Sequence, residues 1–258
     1  MDKNQVKPNA IEKSLDILME FLPDNPELGT LEISERMGLH KATASRILLT
    51  LARRGFLQQN PTTKKFCLGR SSLLIGQAVV TSIQNGFVLI AKPYVDQLRY
   101  KINETIVFER LIGKSTIMVY VAEGLRRHRI AGTVGDRLPI YAAAGAKAIL
   151  AFSDSKFVED IVTSITKFEA ITPNTIIDPQ ILIQHLRKIR LTGVAFDNQE
   201  TEIGINALAV PVFNHENVPI ASVVVVGPSH RIEIDPNSTI AEQAKQTANE
   251  ISSALLHS

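Results

Sequence analysis

The sequence predicts an α+β protein of two domains, a small helical one closed by a β-hairpin and a larger one built on an antiparallel sheet. Three observations predict it. The chain has 258 residues, more than the roughly 150 typical of one domain. Before residue 70, short helical patterns are followed by a hairpin pattern, and beyond residue 86 helices and strands alternate. With hydrophobic residues at 45%, charged at 21% and aromatic at 5%, a disordered chain or a fibre is excluded.

Ile11, Leu15, Leu18 and Leu22 recur at helical spacing, and Pro23 and Pro26 should end that first helix. Thr30 can cap a second helix, Leu31 to Met37, which Gly38 stops. A third runs from Lys41 to Arg54 with Ala44, Ile47, Leu48 and Leu51 inward and Gly55 at its end. The second and third helices, joined by Gly38-Leu39-His40, make a helix-turn-helix pattern. Phe56 to Gln59 and Lys64 to Leu68 read as strands about an Asn60-Pro61-Thr62-Thr63 turn, a wing with two lysines near its tip. The first domain is thus expected over residues 1–70. Leu73, Leu74, Ala78 and Val79 among polar neighbours predict an amphipathic linker helix over 71–85 that joins the domains rigidly.

The second domain, 86–258, starts with a helix from Phe87 to Ile102 and strands Thr105–Leu111 and Thr116–Val121 about Gly113-Lys114. Helices are expected at Ala143–Phe152, Lys156–Ile165 and Pro179–Arg190. Strands are expected at Val194–Phe196, Ile205–Phe213 and Pro219–Gly227, the last central because Val223 to Val226 is apolar on both faces. Pro236 should open the final helix.

The net charge of +2 hides a gradient. Met1 to Glu35 holds three Lys/Arg against eight Asp/Glu, Arg36 to Val95 nine against none, and the remainder sixteen against eighteen. At the chain's average acid content a window of about 60 residues would hold about six acids, so the zero marks a surface that repels no polyanion. On the third helix, Lys41, Ala42, Thr43, Ser45, Arg46, Thr50 and Arg53 face outward. Small and hydrogen-bonding side chains near a helix start let its backbone approach base edges, while arginine and lysine meet phosphates or guanine. With Arg53 and the wing's Lys64 and Lys65, this pattern predicts binding to double-stranded DNA.

The run Gly38-Leu39-His40-Lys41-Ala42-Thr43-Ala44-Ser45-Arg46-Ile47-Leu48, then Leu51, Gly55-Phe56-Leu57 and Leu68-Gly69, resembles the winged helix-turn-helix of the IclR family of bacterial transcriptional regulators. The likeness continues through Gly135-Asp136-Arg137-Leu138-Pro139, Gly145-Ala146-Lys147-Ala148, Thr172-Pro173-Asn174-Thr175, Gly193-Val194-Ala195-Phe196-Asp197, Gly204-Ile205, Val210-Pro211-Val212 and Gly227-Pro228. It implies a GAF-like effector-binding domain, operator DNA, a small organic effector, and homodimers or dimers of dimers that repress or activate, here of a catabolic operon. Carried onto this chain, the implied effector pocket comprises Tyr141, Ala142, Ala143, Asp197, Glu202, Asn206, Ala207, Val224 and Val226. Tyr141 stands where the family usually has histidine, Ala207 where cysteine is frequent and Val226 where serine is frequent. These departures argue for an aromatic or otherwise bulky effector, with Asn206 fixing its polar end, over a small carboxylate.

Other signals are weaker. Gly113-Lys114-Ser115-Thr116 lacks the first glycine of a phosphate-binding loop and joins two strands. The six histidines show no paired spacing and Cys67 is the single cysteine, so neither a disulfide nor a metal site is expected. Arg126-Arg127-His128-Arg129 reads as a solvated face or a subunit contact, and Asp197, Glu200 and Glu202 as ordinary loop acids or as hydrogen-bond acceptors for an effector. No nucleophile with a base at signature spacing favours the rival, an enzyme regulated by a winged domain, and no catalytic residue or cofactor is expected. No signal peptide opens the chain between Met1 and Ala10 and the uncharged stretch Ser71 to Ala91 is too polar to span a bilayer, so a cytoplasmic protein without a membrane partner is expected.

Overall fold

The computed structural model describes residues 8–22, 25 and 27–256. Pro23, Pro26, His257, most of the Met1 to Ala10 stretch and the side chain of Val79 lie outside this description. The chain forms two compact units that part between Thr81 and Ser82.

In the first unit α1 spans Ala10–Met19 and is capped by Asn9, whose side chain accepts from the Ile11 and Glu12 amides while Glu12 reaches back to the Asn9 amide. Of the apolar stripe expected to pack, Leu18 alone does. Ile11, Leu15 and Leu22 are exposed, and Ile17 and Phe21 carry the helix onto the core instead. Both stripes have helical spacing, and tertiary contact with α3 selects between them. Helix α2, Thr30–Arg36, is capped by Gly29 rather than by Thr30, with the Glu32 carboxylate accepting from the Gly29 amide. Gly38 takes φ 59° in the turn that follows, which Leu39 and Ser34 close with two hydrogen bonds. Helix α3, Lys41–Arg53, buries Ala44, Ile47, Leu48 and Leu51 as its spacing predicts. Strands β1, Leu57–Gln59, and β2, Phe66–Leu68, form the wing, shorter than expected because Phe56, Lys64 and Lys65 fall outside the ladder. Leu28 adds a bridge to Phe66.

Helix α4, Arg70–Ile83, exposes Leu73, Leu74 and Ile75. A π-helical turn, Gln84–Val88, then leads into α5, Leu89–Ile102, where the sequence pattern predicts one helix from Phe87. The second unit is a five-stranded antiparallel sheet in the order β4-β3-β7-β6-β5. The strands are β3 Thr105–Ile112, β4 Ser115–Ala122, β5 Ala195–Asn198, β6 Ile205–Phe213 and β7 Pro219–Pro228. The apolar β7 is central, as its two-faced pattern predicts. Helices α5 and α9, Thr239–Leu256, cover one face; α6 Ala144–Phe152, α7 Ser155–Ser164 and α8 Pro179–Thr192 lie on the other. Pro236 does not open α9: it lies in a turn, and the helix starts three residues later, with the Ser238 hydroxyl accepting from the Ala241 amide.

Alternation along the strands sorts side chains between the layers. Val223 and Val225 pack under α5 and α9, whereas Val224 packs under α6 and α8.

Candidate functional site

The helix-turn-helix unit presents its chemistry on α3. His40 caps the helix through Nδ1, which accepts from the Ala42 amide at 3.3 Å. Lys41, Ala42, Arg46, Thr50 and Arg53 are exposed, and Thr43 and Ser45 half-buried. Among the described residues Lys41, Arg46, Arg53, Arg54, Lys64 and Arg70 form no ion pair. The two wing lysines differ. Lys65 Nζ lies 3.1 Å from Glu32 of α2, while Lys64 is exposed in a left-handed conformation at φ 57°. The acids of the unit's first third therefore brace the fold: Glu20 pairs with Arg36 at 3.4 Å, and Glu27 accepts from Asn60 and Thr63 at the wing's turn. Helix α3 and Lys64 of the wing keep positive charge that no acid pairs with among the described residues, an arrangement suited to a phosphate backbone and a groove.

In the second unit the α6 side of the sheet gathers Tyr141, Ala142, Ala207 and Val224, with Val226 packed against them. Asp197 lies on the same side, paired in register with Ala207, but its carboxylate is occupied by the Glu200 and Thr201 amides and the Thr201 hydroxyl. Ala143 is buried beside them at the cap of α6. Two expected members stand elsewhere. Glu202 is exposed, and Asn206 points to the opposite face, where Nδ2 donates to the Ile232 carbonyl at 2.8 Å. One residue of register separates Asn206 from Ala207, which is enough to turn its side chain away. Tyr141 is buried against Phe168, ring centroids 4.9 Å apart, and its hydroxyl both donates to and accepts from the Glu169 backbone.

The polar groups at the start of α6 are backbone. The Ala142 and Ala143 amides both donate to Pro139 O at 3.0 Å, so they are not available to a ligand. The first free amides come next: no side chain caps α6, and Ala144, Gly145 and Ala146 donate to nothing among the described residues. A buried helix start with three unmet amides and a positive dipole end favours an anionic or carbonyl oxygen.

Sequence reasoning missed the buried charges around it. Lys147 is fully buried with Nζ 2.5 Å from Glu200 Oε1. Burial pushes the Lys147 amine down and the Glu200 carboxyl up, against the attraction of the pair itself. His185 is pushed down to about 4, first by burial and then by the charge of Lys147. Glu109 of β3 is buried without a cation, and burial holds its carboxyl up at about 7 against one hydrogen bond from Thr116. The alternation of β3 could have flagged it, since Val107, on the α6 side, fixes the face Glu109 must share. The basic run is exposed, as expected of a solvated face, and two of its arginines are paired: Arg126 joins Arg231 on buried Glu104, and Arg129 pairs with Glu123. Gly113-Lys114 is a β-turn between β3 and β4, as the sequence predicts. Among the described residues no group of three or more His, Cys, Asp or Glu gathers to hold a metal, and no helix is long and apolar enough to cross a membrane.

Comparison with known proteins agrees with both halves. The model described as the IclR helix-turn-helix domain matches residues 10–61, and the one described as the bacterial transcriptional regulator IclR C-terminal matches residues 80–253. The chain is 30% identical over 246 residues to the HTH-type transcriptional regulator XynR of Escherichia coli (strain K12), covering 95% of this chain and 96% of that one. It is 29% identical over 245 residues to the DNA-binding transcriptional repressor YiaJ of the same organism, covering 93% and 85%. The structure of an IclR transcriptional regulator from Alicyclobacillus acidocaldarius matches with a TM-score of 0.74 at 25% identity, over 95% of this chain and 98% of that one. With the recognition helix, the wing and the effector-type sheet each covered by these matches, the chain belongs to the IclR family of bacterial transcriptional regulators.

Proposed function

We propose that this regulator acts in the cytoplasm as a dimer on the operator of a catabolic operon, and that its effector is an aromatic or comparably bulky carboxylic acid. One observation carries the effector reading: the uncapped start of α6 stands beside an apolar wall of Ala207, Val224 and Val226. An acid group can take the free amides of Ala144 to Ala146 while its ring covers the wall, at roughly 25 cal/mol per Å² of apolar surface removed from water. Pyruvate or glyoxylate would leave that wall bare. An IclR homologue from Microbacterium hydrocarbonoxydans, of the same fold with a TM-score of 0.74 at 19% identity, was crystallised with 4-hydroxybenzoate, so the fold has room for a ring. Catalysis has no part in this reading.

Calorimetry with benzoate and pyruvate tests the effector. Benzoate should bind at least tenfold more tightly, and Ala207→Leu, which fills the wall, should weaken it. Pyruvate binding tightly while benzoate does not would overturn the reading. For DNA, Arg46→Ala should weaken the operator complex by about 1–3 kcal/mol if that arginine reads a base.

A further inference from the structure

Beneath the first turn of α6 the sheet carries two side-chain oxygens without a hydrogen-bond partner among the described residues. Glu109 of β3 and Ser222 of β7 are direct partners in the antiparallel register, both buried, and Glu109 Oε2 and Ser222 Oγ have no hydrogen-bond partner among the described residues. Both press on Gly145, the second residue of α6. A Cβ there would collide with Glu109 Oε2 and lie 2.7 Å from Ser222 Oγ. The glycine lets a carboxyl group sit against the helix at the turn whose amides are free.

We propose that Glu109 is a proton-linked gate on the effector site: protonated, it leaves the start of α6 free for an anionic effector, and ionised, it places a negative charge beneath Gly145 that opposes one. This rests on the effector reading above and adds its regulation. The elements packed around Glu109 offer nothing else to settle its charge. From β4 comes the Thr116 hydroxyl, from β7 the Ser222 hydroxyl, and from α6 the Gly145 backbone. Lys147, two residues further along α6, is paired with Glu200 at 2.5 Å, and no charged group contributes to the state of the Glu109 carboxyl.

The positive end of α6 attracts negative charge, but two anions at one buried turn repel each other strongly in a medium of low dielectric. An ionised Glu109 already supplies that charge from within. When an anion docks on the amides, Glu109 takes a proton from solvent and its neutral carboxyl can donate to Ser222 Oγ. Burial has already brought this proton within reach of ordinary pH, at about 7. Effector binding and proton uptake are then linked, and each promotes the other.

The test is calorimetry of the full-length protein with benzoate from about pH 5.5 to 8.5, where benzoate stays ionised. In the unmodified protein, affinity should fall above about pH 7 with a slope approaching tenfold per pH unit, and repeating the titration at about pH 8 in buffers of different ionisation heat should count close to one proton taken up per benzoate. Glu109→Gln keeps the shape without the proton. It should bind benzoate with less than about twofold change across the range and take up none. A flat profile or no proton uptake in the unmodified protein overturns the gate and leaves the effector reading standing, as does a slope that survives in Glu109→Gln. No benzoate binding at any pH overturns the effector reading and the gate together. The proton count needs no variant, so it decides the question even if Glu109→Gln folds poorly.

Discussion

A single register position decides what a residue can do in this protein. Asn206 and Ala207 are neighbours on β6, yet one hydrogen-bonds to the Ile232 carbonyl under α9 and the other faces α6. The resemblance that nominates both does not separate them, because a family motif carries position and not orientation. Glu109 shows the converse: its face follows from β3, but its lack of a cation depends on what the neighbouring elements bring to it. The folded carboxyl titrates near 7 and its ordinary value is 4.5, so between these the folded chain holds the extra proton and stability falls as pH rises, levelling above about 7. The full loss should be on the order of 3–4 kcal/mol, at about 1.4 kcal/mol for each pH unit between the two values, and about 2–3 kcal/mol of it falls between pH 5 and pH 8. Urea unfolding at about pH 5 and pH 8 should show that loss, and Glu109→Gln should remove most of it; an unchanged pH slope in the variant would contradict the assignment. Gly145→Ala should cost about 1–3 kcal/mol, because its new Cβ meets the Glu109 carboxyl within a packed layer. A melting temperature equal to that of the unmodified protein would refute that crowding.

Helices and strands are legible in the sequence to the extent that each decides its own structure. Helix α3 is readable in full, since its four apolar residues at helical spacing are the four it buries. The ends of β6 are readable because turn residues flank an apolar run, and the centrality of β7 because both its faces are apolar. For α1 the same rule misleads: two stripes compete, and only packing against α3 shows that Ile17 and Phe21 win over Ile11 and Leu15. The hairpin pattern places the wing correctly but gives no means of telling its two lysines apart. Lys65 is held by Glu32, while Lys64 is exposed and unpaired among the described residues. Lys64→Ala should therefore lower affinity on every DNA sequence and reduce the salt slope by about one, and Lys65→Ala should change the slope by less than half of that. Fluorescence anisotropy across a salt series separates them, and equal slopes would show that the Glu32 pair opens on DNA.

The first unit exposes apolar surface on its own helices. On α1 Ile11, Leu15 and Met19, and just beyond it Leu22, are each at least half exposed, and so are Leu73, Leu74 and Ile75 on α4. Exposed apolar residues on helices are what one helix offers to another, and burying them stabilises association by roughly 25 cal/mol per Å². The proposed dimer supplies the partner, and a two-fold regulator reads a pseudo-palindrome whose half-sites lie one or two helical turns apart. Leu15→Glu with Leu74→Glu should therefore turn a dimer into monomer at micromolar concentration in sedimentation velocity. Affinity for a full operator should drop by at least tenfold, while affinity for a single half-site should change little, since neither residue lies on α3 or the wing. A double variant that stays dimeric, or one whose half-site affinity falls as far as its operator affinity, would show that these residues serve something other than the two-fold contact.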